Sequence, residues 1–276
     1  MKPASLLYAR PATLSDAVNN LHTLTDQCRV IAGGQSLGPM LNLRLAQPKH
    51  LVDISQLTNL REAKVEDGFL AIGACVTHAE IEDGKIPDVT LGLMPFVARG
   101  IAYRAVRNRG TIGGSLAHAD PAADWLTTTI AMDASLRLVG PAGSREIKVA
   151  DFVTAAMETA IEDGEVIVQV LVPCFSPKAA WGHAKYAKKL GDFAQSMCVA
   201  VVDPGRKVAR VVLGRRSELP SLLGGVSELM ASKGYDIASE TLRSAIDEDL
   251  KEAQTDRGDQ TMHRAIVERA IRDLAA

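Results

Sequence analysis

The feature that most constrains this chain is a glycine-containing stretch near its middle, Arg107–Trp125. The stretch opens with basic side chains, contains the adjacent pair Gly113 and Gly114, and then reaches Pro121, a residue favoured at the first position of a helix. Glycine lets backbone N–H groups approach an oxyanion because no Cβ stands in the way. Such a stretch therefore suits a ligand that carries a diphosphate.

Polar side chains around the glycine pair strengthen this pattern. Thr111 and Ser115 can donate hydrogen bonds through their hydroxyl groups. Asp124 follows as an acceptor that suits a ribose or ribityl hydroxyl. His118 is the one histidine inside the stretch, and two roles are equally open for it: contact with the ligand, or a hydrogen bond to a loop carbonyl.

Another glycine pair lies earlier in the chain, in the segment Ala32–Ser36, directly after an apolar run that is typical of a strand. In chain order, Ala32–Ser36 is the first glycine segment and Thr111–Ser115 is the second. Turns use glycine pairs freely, so turn chemistry and nucleotide binding both remain open from the spacing alone. The Gly-x-Gly-x-x-Gly fingerprint and the Walker sequence are both absent. A nucleotide would therefore bind by another geometry.

Length and composition exclude several classes of protein. A chain of 276 residues holds one large domain or two to three small ones. The net charge of −2 gives no reason to expect a nucleic-acid partner. No apolar run approaches the ~20 residues of a membrane helix, and the N-terminus lacks the apolar core of a signal peptide. The sequence predicts a cytoplasmic protein without a membrane span.

The cysteines and histidines do not form a metal-binding pattern. Cys28, Cys75, Cys174 and Cys198 are far apart and include no Cys-x-x-Cys pair, which argues against a local iron–sulfur or zinc site. They are expected to be reduced and to behave as small apolar residues. The histidines are scattered and show no metal motif, so no metal site is predicted.

Apolar periodicity predicts an α/β unit followed by a mixed block. In the first unit we expect a helix capped by Thr13 and strands over 28–32 and 50–54. In the mixed block we expect a helix capped by Thr77. We also expect a strand at 69–75, helices at 91–104 and 121–131, the two strands of a hairpin at 135–139 and 145–149, and a strand at 165–172. A tail with three strands and three helices follows, at 183–188, 196–202, 207–213, 226–233, 238–249 and 260–274.

Three segments occur together in an order and at a spacing that resemble one known family. They are Ala32–Ser36, Thr111–Ser115 and Gly191–Ala194, and the likeness runs from the opening Tyr8–Pro11 to the helical tail. The chain resembles the FAD-binding medium subunit of the molybdenum hydroxylases, a family that includes the medium chain of carbon monoxide dehydrogenase and the flavin domain of xanthine dehydrogenase.

The resemblance implies an α+β fold. Residues 1–57 and 58–176 would form the two subdomains of an FAD-binding domain of the vanillyl-alcohol-oxidase (PCMH) type. Residues 177–276 would form a three-stranded antiparallel sheet with a helical bundle.

The resemblance also implies an FAD site whose diphosphate lies between the two glycine segments. Asp124 would bind a flavin hydroxyl, Ile167 would lie against the cofactor, Lys185 would lie near the flavin and Phe193 would cover its ring. The implied cofactor-binding residues are Val30, Ile31, Ala32, Gly33, Gly34, Gln35, Ser36, Thr111, Gly113, Gly114, Ser115, His118, Asp124, Ile167, Lys185 and Phe193.

Two positions depart from the pattern of the carbon monoxide dehydrogenase relatives. Those relatives usually have His where Gln35 stands and Tyr where Phe193 stands. Either change alters hydrogen bonding near the ring and can tune the flavin potential or access to it. Because the first glycine segment contains no histidine, non-covalent FAD is expected.

The function implied by the resemblance is electron relay within a complex. A large molybdopterin subunit would hydroxylate the substrate, a small [2Fe-2S] subunit would carry electrons, and FAD on this chain would pass them to an external acceptor. A dimer of such heterotrimers is expected. Two alternatives are a stand-alone FAD-dependent oxidoreductase of the vanillyl-alcohol-oxidase type and a non-catalytic partner that has lost its flavin.

Overall fold

We describe the protein from a computed structural model that covers residues 2–24, 27–234, 237–253 and 259–274. Its first part is a three-stranded parallel sheet in the order β1-β3-β2 with two helices. The element bounds are β1 Leu7–Ala9, α1 Leu14–Leu24, β2 Cys28–Ile31, α2 Leu37–Asn42 and β3 His50–Asp53. The sequence analysis predicted β2, β3 and α1 and missed β1. The predicted cap is confirmed, because the Thr13 hydroxyl accepts a hydrogen bond from the Asp16 amide at 3.1 Å.

The middle part is built on a five-stranded antiparallel sheet in the order β4-β5-β10-β6-β7. The predicted hairpin is confirmed as β6 and β7. The sequence analysis missed β4 and the small two-stranded sheet of β8 and β9. The bounds are β4 Ala63–Glu66, β5 Phe69–Gly73, β6 Ser135–Gly140, β7 Gly143–Lys148, β8 Val153–Ala155, β9 Glu158–Thr159 and β10 Val166–Pro173.

Both faces of β10 are buried, each in a different core. Val166 and Val168 pack with the first part, against α1 and β3, whereas Val170 and Val172 belong to the large core of the middle part. This explains why β10 alternates polar and apolar residues only in part. The first and middle parts are therefore joined by one shared apolar cluster.

Six helices belong to the middle part within the described residues. They are α3 His78–Glu82, α4 Leu93–Arg99, α5 Arg104–Arg107, α6 Ile112–His118, α7 Asp124–Ala131 and α8 Val149–Phe152. The Thr77 cap is confirmed as a full capping box with Glu80. A 3-10 turn over Thr58–Leu60 precedes the sheet.

Two helix predictions in this part were wrong at their ends. The single helix expected over 91–104 stops at Arg99, and the chain then turns through Ala102, whose φ is 45°. The helix expected from Pro121 begins at Asp124, because a turn closed by the Ala123 amide on the Asp120 carbonyl precedes it. Tertiary contacts outweigh local propensity at both places.

In the described residues of the tail there are four strands rather than the three expected, in the order β11-β12-β13-β14. The extra strand has two residues and was too short for a periodicity argument. The three helices are confirmed to within a few residues. The bounds are β11 Ala180–Tyr186, β12 Ser196–Asp203, β13 Val208–Arg215, β14 Ser221–Leu222, α9 Gly224–Lys233, α10 Ser239–Glu252 and α11 Gln260–Asp273.

The tail sheet is buried on both faces. One face packs against α9, α10 and α11, and Gly182 lets α11 approach so closely that a Cβ there would lie 1.8 Å from the Ala270 carbonyl oxygen. The other face contributes Val199, Val201 and Val212 to the middle core, where the fully buried helix α7 lies. Helix α7 therefore joins the middle part to the tail, with Asp124 at its first position.

Among the described residues, no helix combines the length and apolar character needed to cross a membrane.

Candidate functional site

The first glycine segment offers unpaired backbone donors. Beyond β2, the amides of residues 33–36 donate to no acceptor within the described part of the chain. The segment is held in shape by other bonds: Gly34 adopts a φ of 70° and accepts from the Gly38 amide at 2.9 Å, and the Gln35 side chain donates to the Gly33 carbonyl at 3.0 Å. Consecutive free N–H groups of this kind form an anion-binding site.

The second glycine segment is the first turn of α6, and its amides are already used. Thr111 is the N-cap, and its hydroxyl accepts from the Gly114 amide at 3.1 Å. The Gly113 amide donates to the Ala74 carbonyl at 3.0 Å, and the Ile112 amide donates to the Val76 carbonyl at 3.1 Å. The backbone amides at the start of α6 therefore already have acceptors within the chain.

Side chains on one face of α6 remain available instead. The Ser115 hydroxyl is half-buried and has no hydrogen-bond partner among the described residues. His118 lies three residues further on the same face and is also half-buried without a described partner. This segment can contribute hydroxyl and imidazole groups to a ligand, and the loop-carbonyl bond considered for His118 is not formed.

Glycine is required where the two segments meet. A Cβ on Gly33 would lie 1.9 Å from the Arg109 carbonyl oxygen and 2.9 Å from the Gly110 Cα. A Cβ on Gly113 would lie 2.5 Å from the Ala74 Cβ. The first contact brings the first glycine segment against the residues that precede the second, and the second contact packs α6 against Ala74. Binding of a diphosphate between the two segments stays a prediction.

Asp124 and Lys185 form a buried ion pair next to this contact region. The Lys185 Nζ lies 2.8 Å from Asp124 Oδ1 and 3.0 Å from Oδ2, and the side chains are 13% and 7% exposed. Burial raises the pKa of Asp124 above its usual value, and the charge of Lys185 opposes that shift. The pair connects α7 to β11, so the structure brings together two residues that the sequence analysis assigned separately to the site.

The segment 191–194 lies against turns that flank the second glycine segment. The Gly191 carbonyl accepts from the Ala102 amide at 3.0 Å, and the Ala194 amide donates to the Ala122 carbonyl at 3.4 Å. Phe193 between them is 54% exposed. Its ring is therefore available to cover a ligand.

Three other predicted site residues lie on strands. Ile167 is 5% exposed and packs in the middle core, so little of its side chain is open to a ligand. Val30 and Ile31 are half-buried residues of β2, and Val30 packs on the core of the first part. Contact of these three residues with a cofactor stays a prediction.

The sequence analysis missed His78, which lies under the glycine contact. Its Nδ1 accepts a hydrogen bond from Trp125 Nε1 at 3.0 Å, and its amide donates to the Gly110 carbonyl at 2.9 Å. Burial lowers the pKa of His78 to about 4, and the charge of Arg107 adds to that effect. The capping box around Thr77 marked the helix start, but no local spacing indicated a contact with Trp125.

Two histidines with lowered pKa values predict a loss of stability in mild acid. Burial lowers the pKa of His183 as well to about 4, and its Nε2 has no partner among the described residues. In the unfolded chain these two histidines bind a proton below about pH 6.5, whereas in the folded chain they stay neutral down to about pH 4. The contribution of these two histidines to the free energy of unfolding is therefore fully present above pH 6.5. It falls as the pH approaches 4, by up to ~3 kcal/mol for each histidine. Urea unfolding at several pH values measures this.

The His183→Leu variant is the control for that prediction, because the change in stability between pH 6.5 and 4 should be smaller by the contribution of His183, up to ~3 kcal/mol. Equal stability at pH 7 and pH 4.5 would contradict the prediction.

Comparison with known proteins identifies the family. Residues 3–175 match the family described as the FAD binding domain in molybdopterin dehydrogenase. The carbon monoxide dehydrogenase medium chain of Hydrogenophaga pseudoflava is 34% identical over 251 residues, which are 90% of this chain and 86% of that protein. This chain belongs to the FAD-binding subunits of the molybdenum hydroxylases. FAD is its cofactor, and it is an oxidoreductase component.

Other relatives agree with this family assignment. The caffeine dehydrogenase subunit beta of Pseudomonas sp. CBB1 is 32% identical over 80% of this chain and 76% of that protein. Carbon monoxide dehydrogenase from H. pseudoflava, in a form lacking the Mo-pyranopterin moiety, superposes with a TM-score of 0.91 at 30% identity over 100% of this chain and 99% of that one. Quinoline 2-oxidoreductase from Pseudomonas putida 86 superposes with a TM-score of 0.87 at 33% identity, over 100% of this chain and 98% of that one. The overall mixed fold is that of these flavin subunits.

The residues on the two glycine segments fit FAD. A diphosphate needs several N–H donors, and the amides of residues 33–36 are unpaired. The Ser115 hydroxyl and the exposed ring of Phe193 supply a further donor and an apolar cover.

Proposed function

We propose that this chain is the electron-relay subunit of a complex with a small [2Fe-2S] subunit and a large molybdopterin subunit. The observation that carries the proposal is the likeness over nearly the whole chain to the carbon monoxide dehydrogenase medium chain. The relatives are named as medium chains or subunits, which favours this function over a stand-alone oxidoreductase. A dimer of heterotrimers in the cytoplasm is part of the proposal.

In this proposal each group of the site has a separate task. The amides of Gly33–Ser36 bind the diphosphate, and the Ser115 hydroxyl supports it from α6. Asp124 accepts a hydrogen bond from a flavin hydroxyl, while Lys185 holds its carboxylate in place. Phe193 covers the ring and excludes water. Bound FAD supplies the exchange between one-electron donors and a two-electron acceptor.

The domain organisation completes the proposal. Residues 1–57 and 58–176 form two subdomains of the PCMH type around the cofactor, and residues 177–276 form the third unit. The parallel sheet of the first part and the antiparallel sheet of the middle part support the first division. The ion pair between Asp124 and Lys185 then connects the FAD-binding region to the third unit.

Visible absorption spectra test the proposal. The chain is purified alone and again after co-expression with the genes that neighbour its own. We expect flavin bands from the chain alone, and flavin plus iron–sulfur absorbance from a co-purifying complex whose flavin is reduced when its substrate is added. Flavin with steady turnover and no partners would overturn the relay function. A chain that stays colourless after addition of FAD would overturn cofactor binding itself.

A further inference from the structure

His78 occupies a central position beneath the cofactor segments. It is 5% exposed and begins α3. A Cβ built on Gly110 would lie 2.9 Å from both Cδ2 and Nε2 of the His78 ring, so the ring is the surface on which the Gly110 turn lies. On its other side, the ring accepts the hydrogen bond from Trp125 Nε1.

The neighbours of the ring are the two structures that shape the FAD site. Gly110 is in direct contact with Gly33, whose own Cβ would come within 2.9 Å of the Gly110 Cα. Trp125 follows Asp124 in the first turn of α7, where Asp124 pairs with Lys185. One imidazole ring therefore touches both the glycine contact and the helix that presents the carboxylate.

The hydrogen bond defines the protonation state that this position requires. Because Nδ1 accepts from the indole, the ring proton lies on Nε2, on the edge that faces Gly110. On a protonated ring Nδ1 would also carry a hydrogen, and this N–H would face the indole N–H of Trp125, which is itself a donor. The low pKa of His78 agrees with a ring that stays neutral at physiological pH.

We propose that His78 is a positioning residue of the FAD site, whose ring holds the Gly110 turn and the first turn of α7 at the separation that FAD requires. The inference rests on FAD binding at the two glycine segments. It assigns His78 no contact with the cofactor. Its effect passes through Gly110 to Gly33, and through Trp125 to Asp124.

Titration of the full apo-chain with FAD, followed by flavin fluorescence, tests the proposal. His78→Phe keeps a ring under Gly110 and leaves the buried indole N–H without an acceptor, so we expect FAD to bind ~10-fold more weakly. Trp125→Phe removes the donor and should also weaken FAD. In the double variant no polar group is orphaned, so its Kd should be no higher than that of His78→Phe alone. His78→Asn offers an acceptor to Trp125 and should recover part of the affinity.

His263→Phe is the matched control, because His263 is also a buried histidine with a hydrogen bond, to Ser196 Oγ at 2.7 Å, and it lies in the tail core. It should lower the urea midpoint and leave the FAD Kd unchanged. An unchanged FAD Kd in folded His78→Phe, or an equal change in His263→Phe, would overturn the proposal. If His78→Phe does not fold, an unchanged Kd in Trp125→Phe would overturn it. Failure of the wild-type chain to bind FAD would instead overturn the proposed function.

Discussion

The Gly33→Ala variant should fold and lose its FAD. Its added Cβ would lie 1.9 Å from the Arg109 carbonyl oxygen and 2.6 Å from its carbonyl carbon, which are backbone atoms that cannot rotate away. The two glycine segments must then separate by roughly 1 Å, and the amides of residues 33–36 no longer converge on one diphosphate. Hydrogen bonds to charged groups contribute about 1.5–3 kcal/mol each, so losing one or two weakens FAD by ~100-fold. Flavin content after purification and the FAD Kd measure this.

Gly38→Ala is the matched control for that variant. Gly38 lies in α2, shortly after the same segment, and a Cβ there meets nothing within 4 Å. Its φ is not in the left-handed region, so alanine reduces only the freedom of the unfolded chain. We expect full flavin content and equal or slightly higher stability. Wild-type FAD affinity in Gly33→Ala would show that contact between the two segments is not needed for binding.

Asp124→Asn should have the largest effect on stability. Lys185 would remain almost buried with its charge unpaired, and breaking a buried ion pair by removing one partner costs about 3–5 kcal/mol. If the Asp124 carboxylate of the wild-type chain accepts a hydrogen bond from a flavin hydroxyl, the variant should also bind FAD more weakly, by ~1–3 kcal/mol. Urea unfolding of the apo-chain and FAD titration measure the two effects separately.

Two further variants separate these roles. Asp133→Asn removes one partner of the Lys148 pair, which has the same 2.8 Å distance but lies at the surface, and should change stability by only ~0–1 kcal/mol. Adding Lys185→Met to Asp124→Asn removes the buried charge and should recover at least half of the lost stability. Recovered stability with FAD affinity still low would place the pair of Asp124 and Lys185 against the cofactor. Recovery of both would make its role structural.

The sequence predicted the parts of this protein that depend on local patterns. Thr13 and Thr77 were assigned as caps and are caps, because capping depends on residues three positions apart. The hairpin of β6 and β7 was found from its turn, and the tail helices from their periodicity. The helix expected over 91–104 failed because the turn at Ala102 is held by a long-range hydrogen bond from its amide to the Gly191 carbonyl, and by the Arg107 side chain, which donates to the Ala102 carbonyl.

In the candidate site, too, local patterns predicted one part and long-range contacts decided the rest. Both glycine pairs were recognised from the sequence, but their chemistry differs for reasons that spacing does not carry. The amides of the second pair are used by Ala74 and by the Thr111 hydroxyl, whereas those of residues 33–36 remain free. The ion pair of Asp124 with Lys185 joins residues from two distant elements, and so does the bond between His78 and Trp125.

The sequence by itself determined where most helices and strands form and which family the chain resembles, and it predicted the candidate FAD-binding residues. These properties depend on residue type, local periodicity and short motifs. Only the tertiary structure decided that Gly33 touches Arg109 and Gly110, and that His78 lies beneath Gly110. It also decided that the first amides of α6 donate to the carbonyls of Ala74 and Val76. Backbone hydrogen bonds and close contacts between distant segments are set by how the sheets and helices pack, and no single stretch of sequence contains that information.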